Sequence, residues 1–170
     1  MNDLQRMLND IAMEVKLTRH LIGKDALDKR VMAAMKQVPR HEFLPPGLRS
    51  FAYANGPAPI GAGQTISQPY IVALMSDLLN TTPTDIILEI GAGSGYQAAI
   101  LAILVKQLYS LEIIEDLATK ARCRLKRLGY NNVTVRTGDG YFGWPEYAPF
   151  DGIIVTAAAP YIPQPLIDQL

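Results

Sequence analysis

Apolar residues at Leu4, Met7, Leu8, Ile11, Ala12 and Val15 recur every three or four positions, which predicts an amphipathic helix ended by Gly23. A second helix is predicted to follow Asp25, a suitable N-cap, with Leu27, Val31, Met32 and Met35 on one side and Pro39 as its stop. From Pro39 to Gly63 the pattern breaks up. Pro45, Pro46, Pro57, Pro59, Gly47, Gly56 and Gly61 predict mostly irregular chain there, and a long ordered loop of this kind is commonly functional. Ser67 then reads as the N-cap of a helix bearing Ile71, Leu74, Met75, Leu78 and Leu79, with Pro69 in the first turn, where no backbone donor is needed.

Beyond Pro83 strand and helix patterns alternate. Ile86, Ile87, Leu88 and Ile90 predict a buried strand, and residues 96–105 a helix after a glycine turn. A strand over about 107–113, a helix from Glu115 to Leu128 closed by Gly129, and a strand from Val133 to Thr137 come next. Phe150 to Thr156 predicts a fourth strand, and Pro163 to Leu170 the start of another helix. Parallel strands need crossover connections, so this order predicts an α/β fold: a Rossmann-like parallel sheet with helices on both faces. Residues 1–170 are expected to form a single domain. Residues 1–80 would supply an N-terminal helical cap and an active-site loop over the open strand ends, and residues 81–170 the α/β core.

Composition narrows the function. Hydrophobic residues make up 49% of the chain and charged residues 19%, ample for a core and unlike a disordered chain. The 16 Lys and Arg balance the 16 Asp and Glu, so no long-range field gathers nucleic acid or holds the chain to an acidic membrane. Cys123 is the single cysteine, which excludes an internal disulfide and a multi-cysteine metal site and fits a reducing compartment. The opening MNDLQRMLND lacks the apolar stretch of a signal peptide, and no apolar run reaches the ~18 residues of a membrane span, so the expected location is the cytoplasm.

The segment Leu88-Glu89-Ile90-Gly91-Ala92-Gly93-Ser94-Gly95-Tyr96 places a glycine turn between a strand and a helix, where a ligand can approach the backbone and the free amides of a helix start. Glycines alone are weak evidence for a ligand. Glu112, at the end of the next strand, sharpens the reading, because an acidic side chain there can accept both ribose hydroxyls of a nucleoside; otherwise it is a solvated surface residue. A dinucleotide fingerprint wants glycine where Tyr96 stands, which disfavours a nicotinamide dehydrogenase. The G-x-G-x-G spacing after Glu89 instead resembles the first motif of the S-adenosylmethionine-dependent methyltransferases. In that family a later acidic residue binds the adenine, which points to Asp139 in Gly138-Asp139-Gly140, a segment also readable as an ordinary Asp-Gly turn.

The resemblance is closer than the superfamily. Pro59-Ile60-Gly61-Ala62-Gly63-Gln64-Thr65-Ile66-Ser67-Gln68-Pro69, the glycine motif, Gly138-Asp139-Gly140 and Asp151-Gly152-Ile153-Ile154-Val155-Thr156-Ala157-Ala158-Ala159-Pro160 together resemble the protein-L-isoaspartate O-methyltransferases, from about Val38 to Leu170. The Gln-Thr-Ile-Ser-Gln-Pro stretch is not general among small-molecule methyltransferases. Ala62 departs from the family's larger or polar residue. The family also continues past the position of Leu170 into further strands.

The resemblance implies transfer of a methyl group from S-adenosylmethionine to the free α-carboxylate of isoaspartyl residues in damaged proteins and peptides. S-adenosylhomocysteine is the product, no metal is needed, and neither nucleic acid nor membrane is a partner. It implies cofactor contacts at Thr65, Glu89, Gly91, Ala92, Gly93, Gly95, Glu112, Asp139 and Gly140. Substrate contacts are implied at Ile60, Ser67, Ala157, Ala158 and Ala159, with the Ser67 hydroxyl orienting the reacting carboxylate. The alternatives are a non-catalytic, shortened S-adenosylmethionine-binding domain, or a carboxyl methyltransferase for another substrate. Ending at Leu170 is expected to leave one edge of the strand 150–156 unpaired, to invite self-association and to lower stability and activity. His20, His41 and Cys123 call for no chemical role. Trp144 is expected to pack under the turn after Asp139, and Arg122, Arg124, Lys126 and Arg127 to form the solvated face of a helix.

Overall fold

A computed structural model of the chain describes residues 2–158 and 161–170. The chain divides into two compact units, Met1–Asn80 and Thr81–Leu170.

In the first unit, helix α1 (Asp3–Ile22) starts at Asn2, whose side chain accepts from the Gln5 amide at 2.8 Å, and ends where the Gly23 amide donates to the Arg19 carbonyl at 2.9 Å. Met7, Ile11 and Val15 are its buried face. Helix α2 (Lys29–Gln37) is capped by Asp28, not by the expected Asp25: the Asp28 carboxylate accepts from the Arg30 amide at 2.6 Å. The chain is fixed at this point because the Asp28 amide itself donates to the buried Asp77 carboxylate at 2.6 Å.

The stretch expected to be irregular holds more order than its prolines and glycines announce. It forms 3-10 turns at Arg40–Phe43 and Pro46–Phe51, then a hairpin of β1 (Ala58–Gly61) and β2 (Gln64–Ile66). The two residues joining the strands, Ala62 and Gly63, both have positive φ, at 51° and 70°, the twist that suits a tight hairpin. Arg40, 1% exposed, donates to the Ala52 carbonyl at 2.7 Å and the Gly56 carbonyl at 3.3 Å, so a buried guanidinium serves carbonyls that no ladder serves.

Helix α3 (Pro69–Leu78) corrects two expectations. Gln68, not Ser67, stands at its N-cap, and no N-cap side chain closes the helix start; instead the Tyr70 amide donates to Asn55 at 3.3 Å. Of the expected core face, Ile71 and Leu78 are exposed, while Leu74, Met75 and Leu79 are half-buried. The buried residues are Pro69, Tyr70, Val72, Ala73, Ser76 and Asp77. A carboxylate can be buried there because Asp77 pairs with the Lys24 ammonium as well as the Asp28 amide, and the Tyr70 hydroxyl meets the Thr18 hydroxyl of α1 at 2.6 Å.

The second unit is built on four parallel strands in the order β5-β4-β3-β6: β3 (Ile86–Ile90), β4 (Gln107–Glu112), β5 (Val133–Thr137) and β6 (Gly152–Val155). Helices α4 (Tyr96–Leu104) and α5 (Glu115–Arg127) make the crossovers. Almost every residue of α4 is buried, as its all-round apolar sequence requires, whereas α5 buries only Leu117, Ala118, Ala121 and Leu125. One sheet face carries Leu88, Ile90 and Leu111, packed with Trp144, Phe150 and Leu166. Tyr109 stacks on Tyr147 at 4.1 Å and meets Trp144 edge-on at 5.4 Å, so Trp144 is a packing residue as expected. Residues of the alternate set, Ile87, Glu89, Leu108 and Ser110, belong to the opposite face.

The fourth strand is shorter than expected. It spans Gly152–Val155, and the flanking residues still bond to β3: the Asp151 and Thr156 amides donate to the Ile86 and Ile90 carbonyls, both at 2.9 Å, the Asp151 carboxylate accepts from the Ile86 amide at 2.7 Å, and the Thr156 hydroxyl donates to the carbonyls of Ile90 and Gly91. The last helix, α6 (Gln164–Ile167), is a single turn, after which the buried Gln169 side chain donates to the carbonyls of Phe142 and Pro165 and accepts from the Trp144 amide. Among the described residues no helix is long and apolar enough to cross a membrane.

Candidate cofactor site of the second unit

The chain runs from β3 outward to β4 and β5, then returns to place β6 on the other side of β3. Strand order therefore reverses beside β3, and in open parallel sheets ligands bind at the carboxyl ends of the strands where that happens. Gly91–Gly95, Glu112, Asp139–Gly140 and Thr156–Ala158 are the residues at, or just beyond, the carboxyl ends of β3, β4, β5 and β6. Separate sequence motifs are thus brought to one edge of one sheet.

Gly91, Gly93 and Gly95 all have positive φ, at 103°, 51° and 84°. At Gly91 space forbids a side chain as well, because a Cβ would lie 2.9 Å from the Thr156 hydroxyl oxygen. The Gly91 and Ala92 amides both donate to the Leu111 carbonyl, at 2.8 and 3.1 Å, and the Gly95 amide donates to the Ala92 carbonyl at 2.7 Å. A Cβ on Gly140 would lie 2.2 Å from Ile90 Cγ2, so the Asp139–Gly140 turn sits directly against the strand that feeds the glycine loop.

Glu112 is 6% exposed and holds that loop. Its Oε2 accepts from the Gly93 amide at 2.8 Å and its Oε1 from the Ile114 amide at 2.9 Å. A carboxylate has about four acceptor positions, so each oxygen keeps one for a ligand hydroxyl. Ile113, next in sequence, is 66% exposed and gives an apolar surface beside the carboxylate; an exposed isoleucine directly after a strand-end Glu is the signal that sequence reading passed over. The pair can hold a polar hydroxyl-bearing ligand with an apolar ring, through the free acceptor positions of Glu112 and the exposed Ile113 side chain.

Glu89 plays a different part. It is fully buried, its Oε2 accepts from the Ser110 hydroxyl, and its Oε1 has no hydrogen-bond partner among the described residues. Burial pushes its carboxyl up to about 7; the Ser110 hydrogen bond opposes this and the nearby Glu112 charge adds to it. Glu89 lies in the strand below the loop and presents no accessible surface.

Asp139 is exposed and caps the 3-10 turn Gly140–Phe142 by accepting from the Tyr141 amide at 2.9 Å, which leaves its other carboxylate oxygen open. Ala157 and Ala158 are exposed, and their amides donate to no described residue. Ala159 lies outside the described residues. In the first unit Ile60 is half-buried on β1, Thr65 is exposed on β2, and Ser67 is half-buried between β2 and α3, its hydroxyl unbonded among the described residues.

Two residues that sequence reading left out of the site hold the glycine loop. Thr156 donates its hydroxyl to the Ile90 and Gly91 carbonyls at 3.0 and 2.7 Å. Arg124, expected on a solvated face, is half-buried, and its Nη1 donates to the Ser94 carbonyl at 2.7 Å. Arg122 likewise donates to the Val135 carbonyl at 3.1 Å. Among the described residues no group of three His, Cys, Asp or Glu side chains is placed to hold a metal ion.

The family model for protein-L-isoaspartate(D-aspartate) O-methyltransferase (PCMT) matches residues 12–170, reaching further towards the N-terminus than the motifs do. A protein-L-isoaspartate O-methyltransferase 2 of Nitrosococcus oceani is 65% identical over 170 residues, covering 100% of this chain and 78% of the relative. Its namesake in Syntrophobacter fumaroxidans is 62% identical over 165 residues, covering 97% of this chain and 67% of the relative. A Plasmodium falciparum structure described as a protein-L-isoaspartate O-methyltransferase in complex with S-adenosyl-L-homocysteine superposes with a TM-score of 0.78 at 27% identity, covering 100% of this chain and 80% of that one.

Proposed function

Since the chain belongs to the protein-L-isoaspartate O-methyltransferase family, we propose that it methylates the free α-carboxylate of L-isoaspartyl residues in damaged proteins and peptides. The observation that carries this reading is the 65% identity with a relative of that name along all 170 residues. Bound at the glycine loop, S-adenosylmethionine supplies an electrophilic methyl group on a sulfonium.

The attacking carboxylate is already ionised near neutral pH, so the protein need not remove a proton. Its residues bind and orient. Glu112 takes the ribose hydroxyls on its two remaining acceptor positions, Asp139 offers its open oxygen to the base, and the glycine loop lets the ligand approach the backbone. Ser67 donates its hydroxyl to the substrate carboxylate, and the Ala157 and Ala158 amides, next to side chains too small to obstruct a peptide backbone, are further donors. Fixing the nucleophile in line with the methyl carbon removes orientational entropy from the barrier.

Labelled S-adenosylmethionine with paired isoaspartyl and aspartyl peptides tests the reading. Turnover of the isoaspartyl peptide alone supports it, turnover of neither overturns it, and binding without turnover marks a non-catalytic domain. Since Ser67 caps no helix, Ser67→Ala is expected to lower turnover about ten- to hundredfold, the worth of a hydrogen bond to a charged group, with the melting temperature and cofactor affinity unchanged. Normal turnover in that variant removes Ser67 from the reaction.

The same reading places the protein in the cytoplasm, where the lone Cys123 stays reduced. It also includes self-association, because the outer edge of β6 has no partner strand among the described residues. Sedimentation over rising concentration tests this, and a clean monomer throughout removes it.

A further inference from the structure

Five peptide groups link Ile90 to Gly95, and four of them are bonded at both ends. In the Ile90–Gly91 group the carbonyl accepts from Thr156 and the amide donates to Leu111. In Gly91–Ala92 the carbonyl accepts from the Thr156 hydroxyl and the amide again donates to Leu111. In Ala92–Gly93 the carbonyl accepts from the Gly95 amide and the Gly93 amide donates to Glu112. In Ser94–Gly95 the carbonyl accepts from Arg124 and the amide donates to Ala92. Only the Gly93–Ser94 group, at the crest of the loop, is bonded at neither end among the described residues.

We infer that Arg124 is a positioning residue for cofactor binding: by fixing the plane of the Ser94–Gly95 peptide it holds the adjoining Gly93–Ser94 peptide as the loop's free polar edge, one acceptor and one donor, for S-adenosylmethionine. The inference rests on the proposed function, which puts that ligand at this loop. A glycine-rich turn has little stiffness of its own, because glycine loses more backbone freedom on ordering than any other residue. The ordering must come from outside the turn, and the charge-assisted bond from Arg124 acts on the segment that neither Glu112 nor Thr156 reaches. Thr156 does the same for the first half of the loop. Arg124 touches no reacting atom, so it acts on affinity and not on the methyl transfer itself.

Calorimetry with S-adenosylmethionine and steady-state kinetics with an isoaspartyl peptide test this on Arg124→Met, Arg124→Lys and Arg122→Met. Arg122 lies on the same helix but donates to Val135 in β5, so its variant shares any general softening without touching the loop. Arg124→Met is expected to bind about tenfold more weakly and to raise KM for the cofactor by the same factor, with kcat at saturation within twofold of wild type. Arg124→Lys, which keeps a cationic donor, is expected to bind only about threefold more weakly, and Arg122→Met to bind as wild type does. Unchanged affinity in Arg124→Met overturns the inference, as does an equal loss in Arg122→Met or a fall in kcat with KM unmoved. If Arg124→Met does not fold, wild-type affinity in Arg124→Lys overturns it. A wild-type protein that binds no S-adenosylmethionine removes the proposed function and this inference with it, whereas a binding wild type with an indifferent Arg124→Met removes this inference alone.

Discussion

Glu112→Gln is expected to weaken S-adenosylmethionine binding about a hundredfold, close to the loss in Glu112→Ala, although glutamine keeps the shape of glutamate. Both carboxylate oxygens already accept from backbone amides, Gly93 on one side and Ile114 on the other. A carboxamide has one acceptor atom, so its NH2 group must face an amide donor; the loop then shifts or a buried donor is left unpaired, at a cost of about 1–3 kcal/mol. The lost bond to a ribose hydroxyl adds about 1.5–3 kcal/mol at a charged acceptor. Together these amount to roughly a hundredfold or more in affinity. Calorimetry on the folded variant checks this, and a Gln variant that binds nearly as well as wild type would show that Glu112 neither shapes the loop nor holds the nucleoside.

The second large effect is on stability. Glu89 is fully buried with a carboxyl pushed up to about 7, against about 4.5 for a free glutamate, so between those pH values the folded protein holds a proton that the unfolded chain has released. Its stabilising contribution is complete below about pH 4.5 and is lost as pH rises through about 7, an amount on the order of 3 kcal/mol. Glu89→Gln carries no charge to bury, and its amide oxygen can still accept from Ser110. The variant should match wild type near pH 4.5 and exceed it by about 2–3 kcal/mol at pH 8. Urea unfolding at several pH values measures the difference, and parallel profiles for the two proteins would mean that Glu89 does not titrate in this range.

The sheet was legible because each strand pattern is local: an apolar run, a glycine or a charged turn, and a helix of the right length. The positions of Glu112 at the end of β4 and of Asp139 just beyond β5 were legible for the same reason, whereas a cofactor role for Asp139 rests on the family resemblance. What escaped the sequence depends on partners far along the chain. Asp77 could not be placed on a buried face without knowing that Lys24 and the Asp28 amide meet it. Arg40 carries no mark of burial, since the carbonyls it serves lie 12 and 16 residues away. Arg124 sits among other basic residues on one helix, and nothing in that pattern marks its reach to Ser94, 30 residues back. Ser67 went astray as a helix cap because Pro69 moves the helix start one residue on.

The bonds that finish the glycine loop also set an order of assembly. Glu89 meets Ser110 across 21 residues of chain, but the Thr156 hydroxyl reaches Ile90 and Gly91 across 66 and 65, as Asp151 reaches Ile86 across 65. Closing the longer stretch of flexible chain costs about 1 kcal/mol more entropy, at roughly 0.6 kcal/mol for each doubling of length. The contacts of β6 are therefore more non-local than those between β3 and β4, and β3, α4 and β4 are expected to associate before it. Until β6 docks, the Ile90 and Gly91 carbonyls lack the hydroxyl that orients them. The capacity to bind the nucleoside is then acquired at the close of folding, and ligand-induced protection against proteolysis during refolding would time the arrival of the last strand.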